Sequence, residues 1–103
     1  MSLIKPVGKL TWVASTATDV VGYRAYWTTD GVAPSYTSTF VDVGNITEVQ
    51  LPFPGMEAFE GVLQVGIAAI DGAGNVSDIT APILVPLDQI APAAPSGVVY
   101  VTV

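Results

Sequence analysis

Apolar and polar residues alternate at every second position through most of this chain, and turn-forming residues break the alternation roughly every 8 to 12 positions. In KLTWVAS, residues 9–15, Leu10, Trp12 and Ala14 alternate with Lys9, Thr11 and Val13. In VVGYRAYWTT, residues 20–29, Tyr23, Ala25 and Trp27 fall on one face and Arg24, Tyr26 and Thr28 on the other. A period of two is the period of a strand, and no stretch carries the 3.6-residue stripe of an amphipathic helix. SYTSTFVDV (35–43), rich in β-branched and aromatic residues, predicts a third strand, and ITEVQLPF (46–53) a fourth. The stretch 52–61, with two prolines and Gly55, reads as a loop with one helical turn at 56–59. GVLQVGIAAID (61–71) is apolar on both faces, which predicts a central strand. ITAPILVPL (79–87) holds Pro82 and Pro86, which cannot donate to a ladder, so it belongs at an edge. Short strands punctuated in this way predict an all-β sandwich of about seven antiparallel strands in two sheets.

Composition narrows the chemistry. At 103 residues the chain has room for one core. Half of its residues are hydrophobic and 12% are charged, which argues against a disordered chain. Nine acidic against three basic residues give a net charge of −6, which disfavours nucleic acid and anionic membrane surfaces as partners. No apolar run approaches the roughly 18 residues that would span a bilayer, so membrane insertion is not expected. Cysteine and histidine are both absent, which removes thiolate chemistry, the commonest general base and the commonest metal ligand. The opening MSLIKPVGKL lacks the apolar stretch of a signal peptide. An extracellular or cell-surface location is then expected only if the chain was excised from a longer secreted protein.

Trp12 in the first alternating strand, Tyr23 in the second, Leu51 within TEVQLP and the run VGIAAIDGAGNVSD together resemble the fibronectin type III family, particularly its bacterial members. The resemblance spans roughly residues 8–88 and implies an immunoglobulin-like β-sandwich. It implies that Trp12 and Tyr23 pack in the core. It also implies that Ala69, Ile70, Asp71, Gly74, Asn75 and Ser77 form the turn that ends the family's strand F. Two departures stand out. The family's corner tyrosine falls at Leu63, so the following connection must be held by packing, with Phe53, Met56 and Phe59 as candidates. Before Trp12 there is only SLIKPVG where the family has a full first strand. The expected organisation is therefore a domain at 1–88 with a short or missing first strand, a Pro/Ala linker at 89–97 and a C-terminal strand at 98–103.

Four groups merit a functional reading. Asp71, Gly72, Gly74, Asn75 and Asp78 suggest a calcium loop, but lack the dense acidic repeat of one and read better as a turn. Glu57 and Glu60 read as solvated loop carboxylates. Tyr26 should face outward if Tyr23 and Trp27 face inward, and with Tyr36 and Phe40 it would form an exposed aromatic stripe. Such a stripe suits a protein or sugar partner, and equally suits ordinary cross-strand pairing. The tail Val98, Val99, Tyr100, Val101, Thr102 and Val103 alternates like a strand. It could be donated to another copy, run on as a linker, or pair within its own domain. No catalytic residue, cofactor or metal is expected. The resemblance implies a non-catalytic interaction, spacer or assembly module of a bacterial surface, extracellular or virion structure, with a protein or another copy as partner. An ancillary carbohydrate-binding module of a polysaccharide-degrading enzyme is the alternative.

Overall fold

The computed structural model describes residues 8–88 and 90–102; residues 1–7, which hold the expected first-strand stub, and Val103 lie outside the described residues. The described chain is all-β, with β1 (Gly8–Thr11), β2 (Val20–Thr28), β3 (Thr39–Gly44), β4 (Glu48–Leu51), β5 (Glu60–Asp71) and β6 (Ile83–Asp88). These six strands replace the expected seven or so. They form two antiparallel sheets, a pair β1-β4 and a four-stranded sheet in the order β3-β2-β5-β6.

The apolar strand 61–71 is central as predicted, with β2 on one side and β6 on the other, and proline-bearing β6 stands at an edge. The strands expected at 9–15, 46–53 and 79–87 are confined to Gly8–Thr11, Glu48–Leu51 and Ile83–Asp88, and three further expectations change. Residues 35–38 form a turn, because the Ser38 N–H bonds to the Ser35 carbonyl and the Ser38 hydroxyl accepts the Ser35 N–H at 2.9 Å. Serine hydroxyls that capture nearby backbone compete with a ladder. The expected helical turn at 56–59 does not form: those residues are irregular, and the turn lies ahead of them at 53–56, closed by the Met56 N–H on the Phe53 carbonyl. The expected strand at 98–103 joins no ladder over its described residues.

Between the sheets lies one apolar cluster. Ala25, Trp27, Leu63, Val65 and Leu87 from the larger sheet meet Leu51 and Phe53 from the chain around β4. The Trp27 and Phe53 rings stack at 4.5 Å with 21° between their planes. Leu63 is fully buried where the family's corner tyrosine would stand, and Met56 and Phe59 pack against the same cluster as Phe53. Trp12 meets Tyr23 edge-on at 5.7 Å, and the Tyr23 hydroxyl accepts the Ser15 N–H at 2.9 Å.

The larger sheet is buried on its outer side as well. Tyr26 sits directly opposite Phe40 on β3 and Gly66 on β5. A side chain at position 66 would collide with Ile79, whose Cγ2 would lie 2.4 Å from an added Cβ. Glycine thus lets the segment after β5 close over the sheet. Thr80 ties that segment down: its N–H donates to the Ile67 carbonyl and its hydroxyl accepts the Ile67 N–H, both at 3.0 Å.

Candidate functional site

The three aromatic residues singled out in the sequence do come together, but not as an exposed stripe. Tyr26 is only 1% exposed, whereas Tyr36 and Phe40 remain 54% and 45% exposed. The expectation that Tyr26 faces solvent is therefore corrected. Its side chain does point away from the main core, as alternation requires. However, Tyr36 packs edge-on against it at 6.0 Å, Phe40 tilts against it at 5.6 Å, and Ile79 fills the space above Gly66 across the ladder. Tyr36 is anchored in turn by its hydroxyl, which donates to the Ser77 carbonyl at 2.9 Å.

Arg24 and Asp42 belong to the same face. The Arg24 guanidinium lies over the Phe40 ring, 4.1 Å from its centroid. It also grips Asp42 with two bonds, Nε to Oδ1 at 2.6 Å and Nη2 to Oδ2 at 3.3 Å. The carboxylate and then the Tyr26 hydroxyl push the already high pKa of Arg24 higher, so it stays charged throughout the accessible range. Sequence reasoning had missed this pair, although a signal was present. Arg24 and Tyr26 stand two apart on one strand, and Phe40 and Asp42 two apart on its neighbour, so all four share a face. With the guanidinium over Phe40 and Tyr26 below the surface, the patch offers a sugar less ring surface than three exposed aromatics would.

The run 71–78 forms the turn that the sequence suggested. Asp71 Oδ1 accepts the N–H groups of Ala73 and Asn75, each at 2.9 Å, and Oδ2 accepts the Asn75 side-chain amide at 3.0 Å. Gly74 takes a φ of 87°, which favours glycine. The Ser77 hydroxyl accepts the Ala69 N–H at 2.8 Å. The Asp71 and Ser77 side chains thus serve the backbone, and the Asn75 amide braces the Asp71 carboxylate. Among the described residues, no three carboxylates gather as a metal site would require.

The Asn75 side-chain amide, followed by its backbone N–H, holds the Asp71 carboxyl below the usual carboxylate range. A folded value below the unfolded one stabilises the turn fully above the ordinary aspartate value of about 4. That contribution disappears as the pH falls through the lower folded value. We expect the Asn75 and Ser77 amides to lose hydrogen-exchange protection in that acid window, and Asp71→Asn to abolish the pH dependence. Protection that holds unchanged through the window would refute this role for Asp71.

The tail is the other candidate. Val98, Val99, Tyr100 and Val101 are 87%, 75%, 89% and 72% exposed, clear of both sheets. The radius of gyration is 18.5 Å, whereas a compact chain of about 100 residues measures about 13 Å. Pairing of this segment with its own domain is not what the structure shows.

No protein-family model, curated protein or solved structure matches the chain.

Proposed function

We propose that this chain is a non-catalytic module of fibronectin type III-like architecture that works by binding another protein through an apolar arm. The setting we propose is a bacterial surface, extracellular or virion structure. Two observations support the architecture. In immunoglobulin-type sandwiches the second and fifth strands share one sheet while the third, sixth and seventh share the other. The pairings β1-β4 and β2-β5-β6 follow that order if β1 takes the place of the second strand. The Asp71–Ser77 turn is likewise built as the resembled motif requires.

The observation that carries the functional reading is the arm. Four consecutive large side chains, Val98–Val101, stand 72–89% exposed and clear of both sheets. Leaving that surface in water forgoes about 25 cal/mol for each Å² of apolar area a partner would cover. Contact with another molecule is the arrangement that recovers it. The carbohydrate reading rests on Tyr36 and Phe40 alone once Tyr26 is buried, and is the weaker of the two.

Light scattering on the full chain and on a version ending at Asp88 tests the proposal. The full chain should exceed 10.6 kDa as its concentration rises, while the shortened chain stays at the mass of one copy with an unchanged unfolding temperature. Equal, monomeric masses for both would overturn the arm as a self-assembly element.

A further inference from the structure

We propose that residues 98–102 of one copy add as a strand beside β1 of a second copy, along the edge that no described residue occupies, with Val99 and Val101 turned inward over Ile83 and Val85. The inference rests on the assembly reading above and names its partner and its seat.

β1 pairs with β4 on one side only, and no described residue pairs with its other edge. An unpaired edge offers a row of backbone donors and acceptors to any strand laid beside it. What lies beneath that edge separates it from the others. β4 sits on the β3 side of the sandwich, where Val41 and Val43 share a groove with residues 46–50. β1 therefore lies on the β6 side. There, Ile83 is directly opposite Val65 and Val85 opposite Leu63, so both point toward the core, as opposed residues share a face. Yet Ile83 is 49% exposed and Val85 only half-buried, while Val65 and Leu63 are sealed. The core face of β6 is thus sealed at Leu87 but open at Ile83 and Val85, which form an apolar floor that the two-stranded sheet leaves partly bare. A third strand beside β1 would cover it.

The two edges of the larger sheet fit less well. β6 carries Pro86, which cannot donate to an added strand, and β3 is irregular near its end, where its register with β2 slips between Tyr23 and Arg24. The arm matches the β1 edge in chemistry. Its two faces differ: Val99 and Val101 are purely aliphatic, whereas the face that Val98 shares with Tyr100 and Thr102 carries two hydroxyls suited to the outer side, where Lys9 and Glu48 form an exposed ion pair at 3.0 Å. Residues 89–103 contain no charged side chain, so the arm can approach a body of net charge −6 without repulsion of its own.

The chain has no cysteine, so single substitutions give clean cross-links. A Tyr100→Cys protein is mixed with a Lys9→Cys or Thr11→Cys protein and oxidised, and Asp42→Cys serves as the β3 control. The expected result is a disulfide between copies at position 9 or 11 and none at 42. A second variant, Val99→Asp, alters an exposed residue and should leave the unfolding temperature unchanged at dilutions where the chain is monomeric. It should weaken association at least tenfold, because the carboxylate would be buried against Ile83. Association that depends on the arm but links to position 42, or to none of the three, overturns the β1 assignment and leaves the assembly reading standing. A double variant Lys9→Cys, Tyr100→Cys that closes within one chain also overturns it. A full chain that stays monomeric at every concentration overturns both.

Discussion

Trp27→Ala is expected to abolish the folded state or bring it to the edge of unfolding. The Trp27 ring is 9% exposed and stacks on Phe53, itself 2% exposed, in the centre of the cluster that joins the two sheets. Truncating a buried tryptophan costs about 3–5 kcal/mol, and the stacked pair adds about 1 kcal/mol beyond area burial. Domains of this size are stable by only about 5–15 kcal/mol, so between about a quarter and all of the total is at stake. The larger sheet has alternative contacts along β2 and β5, but Leu51 and Phe53 reach it mainly through this cluster. The small sheet should therefore lose its seat first. Thermal unfolding followed by circular dichroism should show a fall of about 15 °C or more, with Trp27→Phe recovering most of it. A fall below about 5 °C would mean that the ring is not the joint between the sheets.

Tyr26→Ala should be nearly as damaging, for a different reason. An outward Tyr26 would be a surface residue, and its removal would disturb binding alone. The structure buries it to 1% exposure under Tyr36, Phe40 and the Ile79 segment. Its loss opens a cavity on the outer side of the sheet, at a cost of about 3 kcal/mol. Phe40 and the Arg24 guanidinium above it would lose their support, and the segment 76–80 would lose part of its packing. Tyr26→Phe should cost about 1 kcal/mol or less, since only the hydroxyl near Arg24 is removed. Tyr36→Ala, at a residue more than half exposed, should cost less than Tyr26→Ala. Denaturant unfolding of the three variants provides the ranking. If Tyr26→Ala matched wild type while Tyr36→Ala did not, the layering of this face would be refuted.

Much of the fold was legible because strands announce themselves by residue type and period. Alternation around Tyr23, Ala25 and Trp27 put the right side chains in the core, and the apolar run 61–71 identified the central strand. Prolines placed β6 at the edge. The Asp71–Ser77 turn was readable because its side chains bond to partners within eight positions along the chain. The aromatic site was legible as a group of residues but not as an arrangement. Periodicity assigns a side chain to a face of the sheet, not to what covers that face.

What the sequence determined by itself is therefore local: which stretches are extended, which side of a strand each residue takes, and where glycine, proline and hydroxyls force a turn. Tertiary structure decided the rest. Tyr26 became buried because Gly66, 40 positions further along the chain, leaves a gap that Ile79 enters. Arg24 and Asp42 became a pair because β3 folds back beside β2 with one register and not another. The tail kept every mark of a strand and joined no ladder over its described residues, because a strand is completed by the backbone groups of a neighbour, and no described residue of the chain pairs with residues 98–102.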